Sequence, residues 1–352
     1  MILIYLVVCI CNVSSYDPYV SFVFTFQPGT YGDSTNGKHV ERTATFRFVR
    51  QLNWIAENAA RSNVSVEVVV SMWPVSVGDN RRKENLFESL KTLNLTLPAN
   101  LEHLQLIYVT HEAVNSEIQH IPNDLHVLEY YGKNIAGRRS KGKVLVLGGT
   151  DCLPHEKFFD WLALKQIRHD AVYGMHRVML NEDIDPTIAE LDNLIKERTR
   201  IIHTGRVSAS SGSLLSSYAV DVDYRVSFSN SAIYNAAGDF TMISRDGFLD
   251  VRGYVELPHR EHVDSLFIYQ CRANGKKLLM FDEPITCFHQ HHDRGQSIIG
   301  AHPIDANGHS DSFVDIERRG VFGPMNRRHM WGMMDKHLRT ETIRFGKLIK
   351  YK

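Results

Sequence analysis

Residues 143–151 read Lys143-Val144-Leu145-Val146-Leu147-Gly148-Gly149-Thr150-Asp151. Lys143 to Leu147 is a short apolar run rich in strand-forming residues. It runs into two glycines, the signature of a buried strand that ends in a tight turn. The turn delivers a carboxylate, Asp151, at the carboxyl end of that strand. Working outward, the same grammar recurs. Tyr19 to Phe26 (YVSFVFTF) is a strand that ends at Pro28-Gly29, Val64 to Val70 (VSVEVVV) is another, and Leu104 to Thr110 a third. Helical periodicity fills the gaps. Val40 to Ala60 places Phe48, Leu52, Ile55 and Ala59 on one face. Asp124 to Ser140 is helical with Asn123 as candidate cap, and Pro154 to Ile167 is helical with proline in its first turn. Strands alternating with helices predict an α/β fold, with a mainly parallel central sheet and helices on both faces. In such sheets ligands bind beyond the carboxyl ends of the strands. The loops after Phe26, Val70, Thr110 and Leu147 are therefore the ones to inspect.

The remainder is less regular. A helix is expected near Asp185 to Glu197, a flexible loop over Ser208 to Ser217, and an apolar strand over Thr241 to Ile243. A further helix opens at Glu261-His262-Val263-Asp264-Ser265, because Val263, Leu266, Phe267 and Gln270 share one face. No internal repeat is present.

The chain has 352 residues, 43% hydrophobic and 23% charged, enough for a sizeable core. Lys+Arg and Asp+Glu are both 40, which argues against a general nucleic-acid binder. Met1 to Cys11 is almost wholly apolar. It is shorter than the about 20 residues a spanning helix needs, and it suits the apolar core of a signal peptide over residues 1–15. A buried first strand is the alternative. Asn63-Val64-Ser65 and Asn94-Leu95-Thr96 fit the N-glycosylation pattern, and with the leader they point to the secretory-pathway lumen, Golgi or ER, or to secretion. Without a signal peptide the location would be cytoplasmic. Of five cysteines, Cys152, Cys271 and Cys287 would remain after cleavage, too few for a disulfide framework. No cysteine spacing matches a zinc site.

Four groups of residues can carry chemistry. Asp151 stands where a hard cation bridging a diphosphate would need an oxygen ligand, or it caps the helix expected to begin at Pro154. Glu261, Asp264 and Ser265 lie within one helical turn and can point together at a cleft. The helix dipole keeps such carboxylates ionised; the alternative is that they are simple caps. His289, His291 and His292 offer imidazoles for a metal, or form a polar surface turn. Lys133, Arg138, Arg139, Lys141 and Lys143 form a basic stretch, either facing a diphosphate or solvating a helix end. A nicotinamide dehydrogenase is excluded because Gln27 to Gly32 lacks the glycine spacing of a dinucleotide fingerprint.

Read together, these segments resemble family-2-like glycosyltransferases of the GT-A fold. The resemblance rests on Lys133-Asn134-Ile135-Ala136-Gly137-Arg138-Arg139 with Lys141-Gly142, on Asn235 to Phe240 (NAAGDF), and on Arg252-Gly253-Tyr254. It continues through His262-Val263-Asp264-Ser265-Leu266, then His289, His292, Arg294 and Gly295, and lastly Trp331-Gly332 with Asp335. The order holds from about Tyr19 to Ile343. The resemblance implies a single GT-A-like domain over residues 16–352, with a nucleotide-binding half (19–151) and an acceptor-side half (152–352). It implies a nucleotide-sugar donor carrying UDP, a glycan or protein acceptor, and inverting transfer. Asp264 would be the general base, with Glu261 as its fallback. Lys133, Asn134, Arg138 and Asp239 would bind the nucleotide-sugar. Asp151, His289 and His292 would hold a divalent cation, manganese. Two positions depart from the family. Gly149 stands where the first acid of its Asp-X-Asp pair would be, and Ser71-Met72-Trp73 replaces an acidic segment at the nucleoside.

Overall fold

A computed structural model describes residues 17–28, 43–73, 86–117, 127–180, 188–197, 219–221, 240–256, 263–281, 284–290, 326, 331–345 and 347–349. The strands are β1 (Val20–Phe26), β2 (Val66–Met72), β3 (Leu104–Tyr108), β4 (Val144–Gly148), β5 (Cys152–Pro154), β6 (Ala171–Gly174) and β7 (His176–Met179). After them come β8 (Ala219–Asp221), β9 (Phe240–Ser244), β10 (Lys277–Phe281), β11 (Thr286–His289), β12 (Arg339–Arg344) and β13 (Lys347–Ile349). The helices are α1 (Ala44–Arg61), α2 (Leu86–Thr92), α3 (His111–Glu117), α4 (Glu129–Arg139), α5 (Glu156–Ala163), α6 (Ile188–Glu197), α7 (Arg245–Asp250) and α8 (Val263–Ala273).

Ten strands form one sheet in the order β13-β12-β3-β2-β1-β4-β9-β6-β10-β8. The strands β1, β2, β3, β4, β6, β10 and β13 run one way, and β8, β9 and β12 run against them. The α/β fold with a mainly parallel central sheet is the one the alternating pattern predicts. The reversed strand β9 sits between β4 and β6, so Phe240 pairs with Gly148 and lies at the carboxyl edge beside the turn to Asp151.

Side chains alternate between the faces of a strand, and the core divides accordingly. On one face Phe22, Phe24 and Phe26 pack against Phe48 of α1 and Phe159 of α5. On the other, Val23, Leu145 and Leu147 pack under Ile135 and Ala136 of α4 and Phe267 of α8. Helix α1 starts at Ala44 because the Thr43 hydroxyl accepts from the Phe46 N–H. Helix α4 is buried on nearly every side, from Tyr130 to Gly137. It lies so close to β1 that a Cβ on Gly132 would collide with Thr25.

One local expectation is overturned. Pro154 does not open a helix. It ends β5, an edge strand of a small three-stranded sheet with β11 and β7, where the missing N–H costs no ladder bond. Helix α5 begins two residues later, capped by the His155 ring, whose Nδ1 accepts from the Lys157 N–H at 3.2 Å. Asp151 is therefore not its cap. Helix α4 likewise has no side-chain cap at Leu128. Asn123 and Ser208 to Ser217 lie outside the described residues.

Candidate active site at the carboxyl edge of the sheet

Asp151 leaves β4 through Gly149 and Thr150, and this turn is held from α1. The Gln51 amide donates to the carbonyls of Gly149 (2.8 Å) and Cys152 (2.6 Å). On the far side, the Gln290 N–H donates to the Asp151 carbonyl at 2.8 Å, which extends the β5–β11 ladder past its last pair, His289 with Cys152. This pairing brings His289 to Asp151 across 138 residues of chain, with Nε2 3.4 Å from Oδ2. The Cys152 thiol lies 3.6 Å from Oδ1 of the same carboxylate. One ligand atom from each of Asp151, Cys152 and His289 falls within 4.8 Å of the others. The Asp151 side chain keeps 18% of its surface, whereas Cys152 and His289 are buried. A carboxylate and an imidazole converging with one side open can hold a divalent cation and leave positions for a ligand. The chemistry of this pair fits the cation the resemblance implies. The thiol is an addition that spacing along the chain does not reveal.

A second group stands at the same edge over the opposite face. The Thr25 hydroxyl, next to the end of β1, donates to the Glu129 carbonyl at 2.6 Å, which sets the start of α4 at the carboxyl edge. Helix α8 has 11 residues, a rise of about 16 Å. It feeds β10 at the amino edge, where Lys277 pairs with Ala171, so its first turn, with half-buried Asp264, is also at the carboxyl edge. Between the two helix starts lies Tyr254, fully buried. Burial drives its phenol far above the ordinary range, and the carboxylates of Asp264 and Glu129 push it the same way. Lys133 is buried, 2.6 Å from the Glu129 carboxylate, with its ammonium over the rings of Tyr130 and Tyr254.

The other residues of the basic helix end face inward. The Asn134 amide donates to the Tyr254 carbonyl (2.8 Å) and to Glu256 (2.9 Å), and its oxygen accepts from the Tyr254 N–H (2.8 Å). Arg138 donates to the Trp331 carbonyl at 2.5 Å and stacks on the indole. Arg139 donates to the carbonyls of Gly332 and Met333. These contacts tie α4 to the Arg252-Gly253-Tyr254 and Trp331-Gly332 segments. A Cβ on Gly253, at φ +66°, would strike Asn134 and Trp331. Lys141 and Lys143 are exposed. Asp239, Glu261 and His292 lie outside the described residues. A cavity of about 520 Å³ opens at the amino edge, lined by Tyr19, Asn63, Lys143, Lys165 and His169 among others; of the candidate residues only Lys143 of the basic stretch lines it.

No protein-family profile matches the sequence, and no curated protein matches it. Among solved structures the chain is similar to S. aureus TarS. The structure of TarS 1-349 in complex with UDP-GlcNAc aligns with a TM-score of 0.47 at 13% identity, over 88% of this chain and 68% of that one. The complex with UDP aligns at 0.41 and 14%, over 77% and 60%. A further TarS structure aligns at 0.42 and 11%, over 77% of this chain and 36% of that one. The chain thus spans about 60% of the length of the TarS complex with UDP. The likeness is one of fold, and at these scores it carries no argument about activity.

Proposed function

We propose that this chain is a GT-A glycosyltransferase that moves a sugar from a nucleotide-sugar donor to a hydroxyl of a glycan or protein acceptor. The observation that carries the reading is the convergence of Asp151 and His289 at the carboxyl edge, with Asp264 at the same edge, each within a segment that resembles the family. UDP is the donor nucleotide this resemblance favours, and UDP and UDP-GlcNAc are the ligands in the TarS complexes.

In this reading Asp151 and His289 would hold a divalent cation, whose chemistry is to neutralise the diphosphate leaving group. Asp264 takes the proton of the acceptor hydroxyl as general base. The acceptor oxygen then bonds to the anomeric carbon, the bond to the β-phosphate oxygen breaks, and the nucleoside diphosphate leaves with inversion. The α8 dipole helps to keep Asp264 ionised before the proton arrives. Lys133, which the resemblance assigns to the nucleotide-sugar, is buried and paired with Glu129, its ammonium over the ring of Tyr254. We propose the secretory-pathway lumen, Golgi or ER, or secretion as its location, on the apolar run Met1 to Cys11 and the two sequons. Both asparagines, Asn63 and Asn94, are exposed at turns with φ of 52°.

A second reading has two supports. Gly149 leaves the acidic pair one member short, and Ser71-Met72-Trp73 lacks the acid expected at the nucleoside, which suits a non-catalytic GT-A-like sugar-binding or scaffolding protein. A screen of nucleotide-sugar hydrolysis and transfer, with and without Mn²⁺, separates the two. The glycosyltransferase reading expects UDP release from at least one donor, abolished by chelation. Donor binding with no turnover across all donors and ions supports the scaffold.

A further inference from the structure

We propose that Cys152 is a third ligand of the cation site, which makes that site selective for a thiophilic ion of the Zn²⁺ class over Mn²⁺ or Mg²⁺. The proposal rests on the reading of Asp151 and His289 as cation ligands and deepens it. It does not depend on sugar transfer.

The placement is fixed by the fold. Cys152 opens β5 directly opposite His289 of β11, and opposed residues of an antiparallel pair project to the same side of the sheet. Asp151 adjoins Cys152, and the Gln51 and Gln290 contacts hold the turn from both sides. A tetrahedral ion with Zn–N and Zn–O bonds near 2.1 Å and a Zn–S bond near 2.3 Å spaces its ligand atoms about 3.3–3.7 Å apart. His289 Nε2 lies 3.4 Å from Asp151 Oδ2, and Cys152 Sγ lies 3.6 Å from Asp151 Oδ1. These two distances end on different oxygens of the carboxylate. With one ligand atom taken from each residue all three lie within 4.8 Å of one another, so side-chain rotation has to close the longest separation by at most about 1 Å to reach the tetrahedral spacing. Asp151 keeps 18% of its side-chain surface, which leaves an approach for a water or a phosphate oxygen.

The donor types decide the ion. Hard cations such as Mg²⁺ and Mn²⁺ favour carboxylate, carbonyl and water oxygens, whereas a thiolate selects softer ions. One oxygen, one imidazole nitrogen and one sulfur make a borderline set that suits Zn²⁺ and Co²⁺. The thiol loses its proton to solvent as the metal–sulfur bond forms. The opposing account makes Cys152 a small core residue that donates a weak S–H bond to Asp151.

The test uses the full chain, stripped with a chelator and titrated with Co²⁺, Zn²⁺ and Mn²⁺. Wild type should bind one Co²⁺ with a near-ultraviolet thiolate-to-cobalt absorption band. Cys152→Ser should lose that band and weaken Zn²⁺ by about 10-fold or more in chelator competition, in keeping with the preference of softer ions for sulfur. X-ray absorption on Zn²⁺-loaded wild type covers the case in which the variant does not fold, and should show one sulfur near 2.3 Å. Cobalt binding without the band, with only nitrogen and oxygen neighbours and no preference over Mn²⁺, overturns the thiol ligand while leaving the Asp151–His289 site standing. No ion bound, with or without UDP, overturns both.

Discussion

Two carboxylates at opposite edges of the same sheet meet opposite surroundings. Glu67, next to the start of β2 at the amino edge, is fully buried. Its Oε1 accepts from the Ser21 hydroxyl (2.6 Å) and from the backbone N–H groups of Lys141 (2.5 Å) and Gly142 (3.2 Å). Its Oε2 faces the His103 ring at 3.7 Å. Asp151, beyond the end of β4, faces a thiol and an imidazole, with part of its surface open. A carboxylate with one oxygen that accepts three hydrogen bonds is fixed by the fold and in turn fixes it. One that keeps part of its surface open beside a thiol and an imidazole can be reached by a ligand. Gly142 marks the amino edge as structural, because a Cβ there would stand 2.5 Å from the Ser21 nitrogen. Changes at the carboxyl edge should therefore move activity and leave stability, and changes at the amino edge the reverse.

The largest effect is expected at the carboxyl edge. Asp264→Asn keeps size and helix position but cannot accept a proton. Transfer should fall roughly 100-fold or more, in the range of lost general-base catalysis, with donor binding little changed. A rate within a few fold of wild type would remove Asp264 from the reaction. At the amino edge, Glu67→Ala takes the acceptor from the Ser21 hydroxyl and the Lys141 N–H, while the Gly142 N–H keeps its bond to the Ser21 oxygen. Unfolding in urea should show a loss of roughly 2–3 kcal/mol, while the folded fraction binds donor normally. An unchanged midpoint would dissolve the contrast between the edges.

A smaller effect is expected from pH. Burial, reinforced by Arg344 and Lys141, pushes the His103 imidazole down to about 4. The unfolded chain then binds a proton near pH 6.5 that the folded chain refuses. Stability should be full above pH 6.5 and decline as pH falls toward 4, by of order 1–2 kcal/mol. His103→Gln should flatten that part of the profile, and an identical slope in the variant would assign the decline to other groups. The smallest effect concerns Asn63 and Asn94. Each stands in the turn ahead of an amino-edge strand start, so both lie away from the candidate site. Mass spectrometry of protein from secreting cells should find glycans there, and their enzymatic removal should leave transfer unchanged. Bare asparagines on a chain with intact Met1 would place it in the cytosol.

The strands β1, β2 and β4 were legible because each is a largely apolar run closed by glycine or proline, β3 by its apolar residues alone, and helices α1 and α8 by their apolar spacing. Strand β5 was not. It is three residues long, contains proline, and owes its existence to pairing with β11 more than 130 residues later. Local pattern carries no trace of that pairing. For the same reason Cys152 could not be read as a neighbour of His289. The reversed strand β9 has the composition of any buried strand, and its direction is a matter of topology. Asn134 shows a different gap. A motif marks the residue but not its partner, and here all three polar contacts of its amide go to Tyr254 and Glu256.

The central claim is that Asp151 at the carboxyl edge holds the cation that engages the donor diphosphate. Calorimetric titration of UDP, with a divalent cation present, into wild type and Asp151→Ala tests it most directly. Because His155 caps α5, the substitution removes no helix cap, and the melting temperature should stay near that of wild type. The account predicts metal-dependent UDP binding in wild type and its loss in the variant. Equal binding in both proteins would contradict it.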